Sequence, residues 1–216
     1  MVTRILLCLG VLSSLLWVGI DILGAVSWED YSYTSQTVSE MSAVDAPTRQ
    51  LLSPFYIAYS LLLIAFGGGV SSSAGGRNGR LVAGALLATV GLVGLVQPFF
   101  PMHMRGVEPS FTDIGHIVLG GVNVLLLIVA IGFGAREFGR KFRLFSVTTI
   151  LIMLVFGVWT AFLAPAIPEG QPTPYLGLIE RVIFAAFLLW IASFAFLLLR
   201  AHPRERSTGH SVGTSA

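Results

Sequence analysis

The chain has 216 residues, of which 55% are hydrophobic and 11% are charged. An average soluble domain carries about 25% charged residues, so a soluble globular class is excluded. The net charge of +2, with basic residues spread over several connections and no aromatic interleaving, excludes a nucleic-acid surface, and the single Cys8 excludes an intramolecular disulfide or a CxxC metal pair.

Six apolar runs separated by short polar connections predict an all-α bundle of six transmembrane helices over residues 1–200. The first helix is expected from Ile5 to about Ser27, after Arg4. Leu23-Gly24-Ala25 offers small residues of the kind a signal peptidase accepts, but the run exceeds the ~7–15 residues of a signal core and carries Asp21. The connection that follows, Tyr31 to Met41, is the richest polar segment. Within it Thr37 and Glu40 have capping-box spacing and predict a short interfacial helix to about Val44, which leaves Gln36 and Ser39 without a structural role. Trp28 and the tyrosines suit the membrane interface.

Helix two is expected from Pro47 or Leu51 to Val70 and helix three from Leu81 to Gln97. Gly84, Ala88, Gly91 and Gly94 on helix three are spaced for close helix packing, or alternatively to leave room for a substrate path. The next connection, Gln97 to Arg105, contains His103. Helix four is expected from Asp113 to Ala135, and its Asp113, His116, Gly120 and Asn123 fall on one face. Helix five is expected from Leu144 to Ala164 and helix six from Gly177 to Leu199, with the proline-rich stretch Pro165 to Pro174 between them. Residues 201–216, polar and without apolar periodicity, read as a disordered cytoplasmic tail in which His202 and His210 are solvated.

Charge sorts by connection. Arg4, Arg77, Arg80, Arg136, Arg140, Lys141, Arg143, Arg200, Arg204 and Arg206 share one side of a six-helix topology, and only Arg49, Arg105 and Arg181 share the other. Positive residues accumulate in cytoplasmic loops, so both termini are expected in the cytoplasm. The outer side then holds Asp21, Glu29, Asp30, Glu40, Asp45, Glu108, Asp113, Glu169 and Glu180.

Ionisable groups inside a span must face protein or water. Asp21, His116, Glu180 and Arg181 all fall within about 10 Å of the outer boundary at 1.5 Å per helical residue, and with Gln36, Ser39, Glu40, His103, Asp113 and Asn123 they are the candidates for an outward-facing polar pocket. Glu180 and Arg181 are adjacent, so their side chains diverge and each needs another partner. For Arg181 the candidates are Asp21, Glu40 and Asp113, as a lock between helices, or else an anionic group gripped bidentately, such as a lipid headgroup. On helix four the plainer reading pairs His116 with Asp113 and lets Asn123 bond a neighbouring helix. The sharper one makes His103, Asp113 and His116 ligands of a zinc ion, although no HExxH is present. Ser39 has no base fixed beside it by sequence. Apart from that zinc, no cofactor is expected.

The Tyr31–Met41 segment, Pro47, Phe100-Pro101-Met102-His103 and His116 together resemble the bacterial and archaeal membrane family called domain of unknown function 998. That resemblance implies a six-helix, multi-pass protein of the plasma membrane of a prokaryote and carries no reaction, ligand or catalytic residue with it. A looser likeness, to membrane hydrolases of the alkaline-ceramidase type, covers only His103 and His116 and lacks the third histidine those enzymes place around zinc. Three functions are therefore expected in descending order. The first is a non-catalytic membrane protein whose outer pocket binds a lipid headgroup or small anionic ligand, or supports a partner. The second is a metal-dependent hydrolase acting on a lipid of the outer leaflet, with His103, His116 and Asp113 as ligands and Glu40 or Glu180 as base, and the third is a small transporter. Transport ranks last because the spans below Asn123 offer little to carry an ion inward.

Overall fold

The computed structural model describes residues 1–201, so the expectations for 202–216 lie outside the described residues, while Ala201, expected in the tail, is the last residue of a helix. Six helices run α1 Val2–Val26, α2 Arg49–Ser72, α3 Asn78–Val96, α4 Phe111–Gly134, α5 Arg140–Leu163 and α6 Leu176–Ala201. Short 3-10 turns occupy Ser39–Ser42, Gln97–Phe99 and Ala164–Ala166. Among the described residues, six helices are long and apolar enough to cross a membrane. Long uninterrupted helices follow from the composition, because in hydrocarbon every backbone N–H and C=O must be satisfied within its own segment.

The helices pack in a ring. Successive neighbours from α1 to α4 lie side by side, and α6 closes the ring against both α1 and α5. The α4–α5 seam has the least contact of the successive pairs. Half of the apolar window of α6 is buried but only 11% of that of α5, so α6 supplies the core and α5 forms the outside of the bundle. Trp190, Phe194, Ile191 and Leu198 of α6 are buried with Leu7 and Ile20 of α1 and Leu63 and Phe66 of α2. Two polar links brace this core: Trp190 Nε1 donates to Ser146 Oγ at 2.8 Å and Ser14 Oγ donates to Leu188 O at 3.1 Å.

The small-residue row of α3 is a packing seam, which leaves no room for the substrate path. A side chain at Gly67 of α2 would meet the backbone of Ala88 and Gly84 at 2.5 Å, and one at Gly91 would meet Ser60 O at 2.7 Å. Backbones this close supply the van der Waals contact that lipid cannot provide as a hydrophobic drive.

The two ends of the ring differ in chemistry. Residues 27–48, 100–110 and 167–175 meet at one end, through Val44 N to Met102 O, Gly106 N to Ile167 O and Thr173 Oγ1 to Ser35 O. Nearly all the acidic residues collect there. The opposite end carries the short connections 73–77 and 135–139, where Arg80 and Arg77 meet Glu137 at 3.0 and 3.7 Å. We call these the acidic and basic ends.

Candidate functional site

Arg181, in the second turn of α6, organises the acidic end. Its Nε donates to Asp21 Oδ1 and Oδ2 of α1 at 3.0 and 3.2 Å, and Nη2 lies 2.9 Å from Oδ1. Nη2 also donates to Tyr31 OH at 2.7 Å, while Nη1 donates to Tyr33 O, Gln36 O and Gly177 O at 2.9, 3.1 and 3.1 Å. A guanidinium has five N–H donors, so all of them are accounted for. The guanidinium also sits 3.7 Å from the centroid of the Tyr33 ring, whose hydroxyl donates to Asp21 Oδ2 at 2.6 Å. Gly177 makes this possible, since a side chain there would collide with Gln36 O and Tyr33 O. Burial pushes the Tyr31 and Tyr33 phenols up from their ordinary value, and Asp21 adds to the effect at both.

Arg105 does the same for the connections. Its Nε and Nη2 donate to Glu40 Oε1 and Oε2 at 2.8 and 3.0 Å. Nη1 donates to Thr173 Oγ1 at 2.7 Å and Gln171 O at 3.3 Å, and Nη2 to Ser35 O at 3.3 Å. One side chain thus ties all three connections of this end together, and its five donors are likewise committed. Glu40 is only 1% exposed. It also forms the expected capping box: Thr37 N donates to Oε2 at 2.7 Å while Glu40 N donates to Thr37 Oγ1 at 3.3 Å. The element it starts is the single turn Ser39–Ser42, shorter than the helix expected to Val44. The chain leaves that turn in extended backbone at Ala43, and Val44 N bonds Met102 O across to the next connection.

Glu180 turns away from Arg181, as adjacent helical positions require, and accepts from Val38 N and from Ser39 Oγ. Gln36 Oε1 accepts from Ser32 N at 2.7 Å, bracing its own loop. Both residues are thereby assigned positions that the capping box alone left open.

Asp113 pairs with neither Arg181 nor His116. Its Oδ1 accepts from His103 N at 2.6 Å, and its Oδ2 lies 2.7 Å from His103 Nδ1. Oδ2 also accepts from Ser110 N at 2.8 Å and Ser110 Oγ at 3.0 Å, which closes a capping box at the start of α4. His116 directs Nδ1 at Phe100 O, 3.0 Å away, so the expected local pair with Asp113 does not form. Asn123 Oδ1 is buried and has no partner, so the expected bond to a neighbouring helix is absent at that oxygen. Among the described residues, no three His, Cys, Asp or Glu side chains are grouped closely enough to hold a metal ion.

The candidate residues therefore divide into neighbouring clusters rather than one convergent pocket: Arg181 with Asp21, Glu180 with Ser39, Glu40 with Arg105, and Asp113 with His103. Sequence reasoning passed over Arg105, Thr173 and Ser110. Only Ser110 carried a local signal, the S-x-x-D spacing of a capping box.

An α-helical ring with six membrane-length helices and a hydrogen-bonded polar layer at one end defines a multi-pass integral membrane protein. Residues 11–197 match the family described as "Protein of unknown function (DUF998)", and the chain belongs to that family. No curated protein and no solved structure matches it.

Proposed function

We propose that this is a non-catalytic multi-pass protein of a prokaryotic plasma membrane, with both termini cytoplasmic, whose outer face receives a lipid headgroup at His103. One observation carries the reading. The His103 side chain is 29% exposed and held through Nδ1 by Asp113, while no protein partner meets Nε2 among the described residues. With Nδ1–H donated to a carboxylate, Nε2 of the neutral ring is a lone-pair acceptor, so it suits a ligand bearing N–H or O–H donors. The field agrees, because nine acidic residues stand at this end against Arg49, Arg105 and Arg181. An anionic ligand at Arg181 would first have to displace Asp21. A headgroup with an ammonium or hydroxyl donor is therefore favoured over an anionic one.

The test is protein purified into vesicles of equal phosphatidylethanolamine and phosphatidylcholine, two headgroups that differ in N–H donors, followed by native mass spectrometry of the retained lipid. One net hydrogen bond is worth about 0.5–1.5 kcal/mol, so phosphatidylethanolamine should be retained roughly 2- to 12-fold over phosphatidylcholine. His103→Ala should abolish that preference. Equal retention of the two lipids by the unaltered protein overturns the proposal.

A second reading, hydrolysis of a lipid at the outer leaflet, is favoured by the same dyad, since an imidazole held by a carboxylate with Nε2 unoccupied is a base for water. A zinc route needs a third ligand at that point, and His116 faces Phe100 O instead. Headgroup release from phosphatidylethanolamine vesicles, abolished in His103→Ala, would replace binding by catalysis.

A further inference from the structure

At the basic end, the start of α5 and the last turns of α6 frame a groove of about 690 Å³, within the ~300–1,000 Å³ of small-molecule sites. Its lining includes Phe138, Phe145, Phe196 and Leu197, together with Arg140 and Lys141. We propose that this groove is a binding site for a phospholipid with an anionic headgroup, its phosphate held by Arg140 and Lys141 and an acyl chain lying along the phenylalanines.

The groove spans the ends of two membrane-length helices, which is the depth at which headgroup meets acyl chain. Apolar lining and cations therefore face the two halves of one amphipathic molecule. The cations are uncommitted: among the described residues no carboxylate lies within ion-pair reach of Arg140, Lys141 or Arg143, and all three are exposed. Glu137, three residues before Arg140, is held by Arg80 at 3.0 Å. A further cation is delivered by α6, where the Arg200 guanidinium lies 4.3 Å from the centroid of the Phe196 ring. No acidic residue offsets this charge in the first turn of α5, and its N-cap Gly139 provides no side-chain bond. Cations at a helix start oppose the macrodipole, so a bound anion relieves a conflict that the protein leaves open.

The chemistry is distinct from that of the acidic end, where a donor-bearing headgroup meets an acceptor nitrogen, and the two sites fail independently. The experiment uses full-length protein in vesicles of equal phosphatidylglycerol and phosphatidylcholine, with retained lipid read by native mass spectrometry. Each cation near an anionic surface contributes roughly fivefold, so R140Q/K141Q should lower phosphatidylglycerol retention by at least about tenfold. Ser193→Trp, which fills the groove while keeping its charge, should lower it comparably. Arg136→Gln, an exposed cation of the same end outside the groove lining, should lower it by no more than the roughly fivefold of one surface cation, and His103→Ala at the other end should leave it unchanged. Unchanged retention in R140Q/K141Q or in Ser193→Trp overturns the site, and a loss in Arg136→Gln matching that of the double variant reduces it to diffuse surface charge.

Discussion

At the acidic end Arg105 and Arg181 have every N–H accepted by carboxylates, carbonyls and hydroxyls, whereas at the basic end Arg140, Lys141 and Arg143 meet no carboxylate among the described residues. Connection length accounts for the contrast. Residues 27–48 and 100–110 are long enough to fold back over the helix ends and deliver carbonyls from Ser35 to the half-buried Arg105 and from Tyr33 and Gln36 to the buried Arg181. The connections at 73–77 and 135–139 are tight turns that can offer little beyond Ser73 O and Glu137, and both of those serve Arg80. Arg105 and Arg181 therefore build the protein, whereas Arg140, Lys141 and Arg143 form no ion pair among the described residues.

Removing Arg105 should produce the largest effect. Arg105→Ala leaves Glu40 buried without its counter-ion and releases three connections at once, and breaking a buried pair from one side costs about 3–5 kcal/mol. Because Arg105 is itself 22% exposed, the lower part of that range is expected, read as a fall in the unfolding midpoint of the purified protein. Arg181→Ala should act similarly through Asp21, and Arg181→Lys should recover little of the loss, since one ammonium cannot span Asp21, Tyr31 and two loop carbonyls. A midpoint insensitive to both arginines would mean that the acidic end is no more built than the basic one.

A smaller effect is expected from the tyrosines. Tyr31 OH donates to Gln36 O or Thr37 O, at 3.0 and 2.8 Å, while accepting from Arg181, so Tyr31→Phe should cost about 1–3 kcal/mol for the groups left unpaired. Its folded phenol titrates above the ordinary value, as does that of Tyr33. The neutral form is thus the one the fold favours. Stability from these groups is complete below the unfolded phenol pKa of about 10 and is lost as pH rises through the higher folded values. Midpoints measured from pH 9 upward should fall in the parent and fall less steeply in a Tyr31→Phe, Tyr33→Phe double variant. Parallel curves would remove the tyrosines from the clamp.

The helices were legible because hydrocarbon imposes length and polarity on each segment separately. Expected and observed boundaries agree to within a few residues, with the largest shift at the start of α5, where Arg140 to Arg143 are helical although too polar for the apolar pattern to include. Local chemistry at the acidic end was legible too, as the Thr37 and Glu40 box shows. Partner choice was not. Arg181 had three carboxylates to choose from, and the selection of Asp21, with Glu40 going to Arg105 and Asp113 to His103, depends on how connections far apart in sequence cross over one another. Asp113 illustrates the point. Its spacing to His116 suits a helical pair, yet the Ser110 cap turns the carboxylate back toward the helix start, where His103 reaches it.

The smallest expected effect is the one that separates the two ends most sharply. R140Q/K141Q removes two exposed cations that meet no carboxylate among the described residues, so no buried charge and no carbonyl of those residues loses its partner. Surface substitutions of that kind change stability by no more than about 0.5 kcal/mol, and relief of the cationic first turn of α5 would push the sign toward stabilisation. In detergent without anionic lipid, the unfolding midpoint of the double variant should therefore match the parent or exceed it slightly. When phosphatidylglycerol is added, the parent should gain stability by mass action, because a ligand that binds only the folded state raises the midpoint, while the variant should gain much less. A double variant already destabilised in lipid-free detergent would show that Arg140 and Lys141 hold the fold together as Arg105 and Arg181 do, and the distinction between the ends would be lost.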